Sequence, residues 1–187
     1  MDFPLRNAET KEELIALNRD IQKQIGDFFK SLPEEQFFSH AYGGWSAAEN
    51  MIHISFTTNV LGIALRLPVF LFQLFFGKYE KISSREMLEL KDEYFLELAK
   101  VKDSGIYTPK HEKYPGNPKK RREHLLEDWD KSMEGLIEGV QTWELKDMLN
   151  CSMPHPVMDK VTIKEMIYLS LLHSIHHSKI MEKKIFK

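Results

Sequence analysis

The chain has 187 residues, enough for one domain over 1–187 with a sizeable buried core. Its 26 basic and 28 acidic side chains leave a net charge of −2, which excludes the bulk cationic attraction of a non-specific nucleic-acid binder. A single cysteine, Cys151, excludes an internal disulfide and fits a reducing, cytoplasmic setting.

The N-terminus, Met1 to Arg6, carries neither the basic start nor the apolar stretch of a secretory signal. From there the chain reads as a series of helices. Thr10 with Glu13, Ser46 with Glu49, Ser83 with Glu86 and Thr162 with Glu165 all have capping-box spacing. In that motif the first side chain caps a backbone N–H and the acid reaches back to the cap.

The first helix is expected from about Thr10 to Lys30, with Leu14, Leu17, Ile21, Ile25 and Phe28 on one face. Leu32-Pro33 breaks it, because a residue before proline avoids helical geometry. After the Gly43-Gly44 turn, Ser46 caps a second helix carrying Met51, Ile52, His53, Ile54 and Val60, which Pro68 ends or kinks. Val60 to Phe76 is strongly apolar but is interrupted by Arg66, Pro68 and Gln73. It falls short of the roughly 20 residues of a spanning helix, so no stable membrane insertion is expected. It reads as an extra apolar insertion over 65–82, adding a short helix or a crossover and exposing a phenylalanine patch if left uncovered.

A third helix is expected from about Ser84 to Lys102 and a fourth from about Lys120 to Val140, with a proline-rich loop between them. The basic run Lys119 to Arg122 at the start of the fourth reads as a solvated face. Leu149 to Lys160 reads as a loop built on Pro154-His155-Pro156, and the last helix follows Thr162. No segment alternates with period two for long enough to predict a strand. Long helices with short connections predict an all-α, antiparallel bundle.

The chemistry concentrates in histidines. His173 and His177 are four apart, so both rings leave the last helix on one side. His53, from the second helix, can complete a three-nitrogen face for a divalent cation. All three lie among apolar neighbours, where an unpartnered ring is costly. Spacing alone leaves His176 as an alternative to His177, and leaves open that these rings simply hydrogen-bond.

His155, between two prolines, reads as a turn former, and His40, His111 and His124 as solvated rings. Cys151 reads as inert, and Trp45 and Trp129 as core. Glu49 is a capping residue one turn before His53; it can orient that ring or act as a base.

Two stretches carry a family resemblance. Gly44-Trp45-Ser46-Ala47-Ala48-Glu49-Asn50-Met51-Ile52-His53 resembles the start of the second helix in DinB/YfiT-like proteins. His155-Pro156 through Thr162, followed by His173-Ser174-Ile175-His176-His177, resembles their last helix. The resemblance implies a four-helix bundle with a long crossover and a divalent metal, nickel or zinc, held by His53, His173 and His177 rather than His176. It also implies hydrolase or S-transferase chemistry on a small molecule, with water or a low-molecular-weight thiol as nucleophile, and a homodimer. A non-catalytic bundle that binds a small molecule or a partner in the same cleft is the alternative. Asp159 stands where the family often has glycine; it tolerates left-handed backbone better than most residues.

Overall fold

The computed structural model describes residues 1–78, 84–101 and 105–186. Helix α1, Lys11–Ser31, is capped by Thr10, whose hydroxyl accepts from Glu13 N while Glu13 accepts from Thr10 N. Its expected apolar stripe is buried throughout. A short α2, Glu34–Phe38, follows Pro33, and α3, Ala47–Leu65, starts at the capping box of Ser46 and Glu49. Pro68 does not extend α3; it opens a separate α4, Val69–Phe76, which Gly77 ends at φ 77°.

Helix α5, Met87–Leu98, is shorter than the third expected helix. Its cap is Glu86 with Glu89; the expected cap Ser83 and the expected end Lys102 lie outside the described residues. Helix α6, Pro118–Gln141, starts two residues before Lys120, with Asn117 accepting from Lys120 N and Pro118 in the first turn. Proline is at home there because its missing N–H would have no helical partner. A short α7, Leu145–Asn150, precedes the hairpin of β1, Ser152–His155, and β2, Asp159–Thr162; α8, Ile163–Ile185, closes the chain.

The hairpin corrects the expected loop at Leu149 to Lys160. Its register runs from Ser152 opposite Thr162 to His155 opposite Asp159. Pro154 discourages a strand reading, yet in a two-stranded sheet both strands are edges, where proline is tolerated. Asp159 takes φ 55°, the left-handed step that closes a three-residue hairpin loop. His155 Nδ1 accepts from Val157 N and Met158 N at 3.1 Å, so this ring does build the turn.

Helices α1, α3, α6 and α8 form the bundle, and their buried apolar side chains join one cluster. The architecture is all-α apart from the hairpin. Helices α3 and α6 approach closely because glycines line the seam: a Cβ at Gly62 would lie 2.9 Å from Leu136 N, and one at Gly139 2.8 Å from Leu65 Cβ. The long connection from α3 to α6 carries α5 against α8. Arg85, just before α5, donates to the fully buried Glu165 from both its backbone N and its Nε, at 2.9 Å each. That clamp sets α5 over one side of the histidine-bearing helix.

No single described helix is long and apolar enough to cross a membrane; α3 and α4 qualify by length and composition only as a pair, bent by 105°. The insertion splits its apolar residues. Phe72 is buried against Trp143, whereas Phe70, Leu74 and Phe75 are exposed.

Candidate metal centre

Two capped helices bring the three histidines together. His53 is buried on α3, one turn beyond its capping box, and His173 and His177 lie on successive turns of α8. One ring nitrogen from each lies within 4.8 Å of the other two. His53 Nε2 and His173 Nε2 are 2.8 Å apart. The ring centroids are 4.9 Å apart for His53–His173 and 4.7 Å for both His53–His177 and His173–His177.

These spacings can be compared with a coordination shell. Imidazoles with nitrogens about 2.1 Å from one ion, at ligand angles of roughly 90–110°, have centroids about 4.5–5.2 Å apart. The three rings fall within that window. The 2.8 Å Nε2 pair is a little tighter than the shell edge of about 3.0 Å, so His53 and His173 would part by a few tenths of an ångström around an ion.

Each ring turns its Nδ1 to a partner outside the cluster. His53 Nδ1 donates to the carbonyl of Tyr107 at 2.8 Å. Asn50 Nδ2 donates to the carbonyl of Ser46 at 2.8 Å, which presents Asn50 Oδ1 to His177 Nδ1 at 2.7 Å. His177 therefore donates through Nδ1, and the Nε2 of both His53 and His177 keeps its lone pair. His173 Nδ1 pairs with the Tyr94 hydroxyl at 2.9 Å.

That hydroxyl works in either sense. When Tyr94 donates, His173 donates from Nε2 to His53 and the His53–His173 pair is satisfied without an ion. When Tyr94 accepts, His173 Nε2 keeps its lone pair as well, so each of the three clustered rings has one to offer. Outward hydrogen bonds of this kind orient ligand rings and set their tautomers.

Burial holds the rings neutral. Desolvation pushes His173 down to about 3, with the neighbouring His53 adding to the effect. It also lowers His177 well below the ordinary histidine value, and lowers His53 against the opposing bond to Tyr107. Neutral imidazole is the ligand form, so the donor set, tautomers and ring spacing fit a borderline divalent cation such as Zn²⁺ or Ni²⁺.

The comparison with protein families decides the lineage: residues 19–181 match the model of the DinB superfamily. The chain belongs to the DinB superfamily. No curated protein and no solved structure matches it.

Around this DinB core, the other residues singled out in the sequence fall into place. His176 does not join the cluster; its ring lies 5.5 Å from that of Phe95 and faces the adjoining cleft. Trp45 is only partly buried and stacks on His177 at 5.8 Å and 8°, so it walls the cluster, whereas Trp129 is core. Cys151 is buried and free, and burial raises its thiol.

Glu49 makes its recorded contacts away from His53. Its Oε2 accepts from Ser46 N at 2.9 Å and pairs with His40 Nε2 at 3.0 Å. Its Oε1 accepts from Glu112 N at 2.8 Å and pairs with His111 Nδ1 at 3.1 Å. His40 and His111 are therefore partners of a buried carboxylate rather than free solvated rings; His124 is exposed as expected. The basic run is not simply solvated either: Arg121 makes a two-point pair with Glu112, 2.9 Å at each contact, and Arg122 donates to the Leu32 carbonyl.

Sequence reasoning missed Asn50, Tyr94 and Tyr107. Asn50 had a usable signal, since it sits three residues before His53 on the same helix. Tyr107 acts through its carbonyl, which no side-chain pattern reveals.

Proposed function

We propose that this DinB protein is a divalent-metal-dependent enzyme that acts on a small, mainly apolar molecule. Nickel or zinc is held by His53, His173 and His177. The observation that carries the reading is the convergence of three neutral imidazoles whose outer nitrogens are held by Tyr107, Tyr94 and Asn50. When bound, the cation lowers the pKa of a water or low-molecular-weight thiol sharing its open positions, making a nucleophile near neutral pH.

The chain's own residues supply the rest. The cluster lines a cleft of about 670 Å³ whose walls include Val60, Leu61, Leu98, Met166 and Leu169. None of its described lining residues is Asp, Glu, Lys or Arg. Such walls hold an uncharged apolar body and exclude water from the reacting end. A charged thiol cosubstrate would keep its ionic groups at the mouth. Both Glu49 oxygens are engaged by Ser46, Glu112, His40 and His111, which argues against Glu49 as the base of this reaction.

A cytoplasmic setting goes with this reading, supported by the lone free cysteine. So does a homodimer, supported by the exposed apolar stripe of Phe56, Val60 and Ile63 on α3 with Phe70, Leu74 and Phe75 on α4. A monomer mass at micromolar concentration would overturn the dimer.

The test is elemental analysis of tag-free protein reconstituted with nickel or zinc and passed through a desalting column. One tightly retained ion per chain, lost in His177→Ala, supports the enzyme reading and justifies turnover assays with thiol and water. Folded protein that retains no ion would leave a metal-free binding protein using the same cleft.

A further inference from the structure

A second group of ligand-type side chains lies at the start of α3, and the reaction proposed above does not use it. One ring nitrogen each of His40 and His111 and one Glu49 carboxylate oxygen all lie within 4.8 Å of one another. Glu49 is buried, with its side chain only 4% exposed, whereas the side chains of His40 and His111 are 33% and 65% exposed. We propose that His40, Glu49 and His111 form a second divalent-cation site, a two-histidine, one-carboxylate face open to solvent.

Geometry, charge and anchoring support it. His40 Nε2 lies 3.0 Å from Glu49 Oε2 and His111 Nδ1 3.1 Å from Glu49 Oε1, so each ring faces its own oxygen of one carboxylate. Both are at the separation of adjacent ligand atoms around an ion about 2.1 Å from each. The two imidazole centroids are 4.4 Å apart and the rings are tilted by 45°. Rings that ligate one ion at a right angle have centroids about 4.5 Å apart.

The carboxylate is held ionised. Burial opposes this, but hydrogen bonds from Glu112 N, His40 and Ser46 N together bring its pKa below the ordinary value. Each Glu49 oxygen uses one lone pair on a backbone N–H and turns the other toward a histidine. On loading, the ring protons that face Glu49 move to the far nitrogens, and the ion takes their place.

The elements that bring these donors together are fixed independently. The Ser46 capping box sets Glu49. Arg121 of α6 grips Glu112, next to His111, through its two-point pair. Two nitrogens with one carboxylate on one side select a borderline cation, Zn²⁺, Ni²⁺ or Fe²⁺, over Ca²⁺ or Mg²⁺. The helix N-terminus is unfavourable to a cation and His111 is largely exposed, so the site is weaker than the three-histidine cluster. It also has a structural consequence. The chain from Tyr107 to Glu112 provides both the carbonyl that holds His53 and the donors around Glu49, so an ion here stiffens the support of the first site.

The test is calorimetric titration of Zn²⁺ alone into wild type, His111→Ala, His40→Ala and His177→Ala, with helix content checked by circular dichroism. Wild type is expected to take up two ions per chain, one tight and one weaker. His111→Ala and His40→Ala lose only the weaker ion; His177→Ala loses only the tight one. Saturation of wild type at one ion that His177→Ala loses and His111→Ala keeps overturns the proposal, as does a second ion bound equally well by His111→Ala, which is an adventitious ion only. Because His177→Ala reports on the other cluster, failure of either site is seen separately.

Discussion

The first turns of α3 serve two histidine clusters built on opposite plans. In the His53–His173–His177 cluster the rings face one another, and all their fixed partners lie outside: a carbonyl, a phenol and an amide. In the His40–Glu49–His111 cluster the carboxylate is the hub, and the rings reach it from the surface. The first holds neutral rings that share one hydrogen bond between them; in the second, hydrogen bonds stabilise an ionised carboxylate. Similar residue types thus give a buried, drier cluster in one place and a more exposed, wetter one a turn away, according to which atom occupies the centre.

The largest expected effect comes from removing a member of the dry cluster. His177→Ala should abolish retention of the tight ion, with helix content near wild type, as read by elemental analysis beside far-UV circular dichroism. An unfolded variant would mean that this ring holds the bundle rather than an ion.

Removing an outer partner should cost less. Asn50→Ala and Tyr94→Phe keep all three rings and should weaken the tight ion by roughly 10- to 100-fold, measured by competition with a chelator. An unchanged affinity in both would break the idea that outward hydrogen bonds prepare these rings.

A third expectation concerns acid. Burial lowers His155 from 6.5 to about 4, so below pH 6.5 the unfolded chain binds a proton there that the folded chain refuses. The folded state is then fully favoured above that value and loses stability as pH falls toward the folded one, by at most about 1.4 kcal/mol per pH unit from this ring. Denaturant midpoints of ion-free protein should show that slope added to those of His53, His173, His176 and His177, which burial lowers as well. In His155→Asn, which keeps an acceptor for Val157 N and Met158 N, it should be shallower. A slope unchanged in the variant would place the acid sensitivity elsewhere.

The smallest effect is expected at the wet cluster. His111→Ala should leave the unfolding free energy of ion-free protein, read from denaturant titration, within about 0.5 kcal/mol of wild type, as an exposed substitution does. A larger loss would show that the ring is a structural strut for the Tyr107–Glu112 segment.

Much of this was legible in the chain. The boxes at Thr10, Ser46 and Thr162 mark three helix starts, because capping is a local interaction written within four residues. The four-residue spacing of His173 and His177 puts their rings on one side of α8 for the same reason. The hairpin was not legible, since proline in a run normally argues against a strand and only the edge location of both strands permits it. The short α4 was legible only as one of two alternatives for the 65–82 insertion, a short helix or a crossover, because its start depends on Pro68 turning the chain rather than merely ending α3.

The sequence by itself determined the main helices, the apolar stripes that pack them and the three rings offered to an ion. Tertiary structure alone decided what surrounds those rings. The partner of His53 lies 54 positions away, that of His173 79 away and that of His177 127 away, and one of them is a main-chain carbonyl. Tertiary packing also drew His111 onto Glu49, 62 positions apart. Periodicity and capping act within a few residues, so they reach helices and same-helix pairs. Hydrogen bonds between distant segments exist only once the core has set the distances between them.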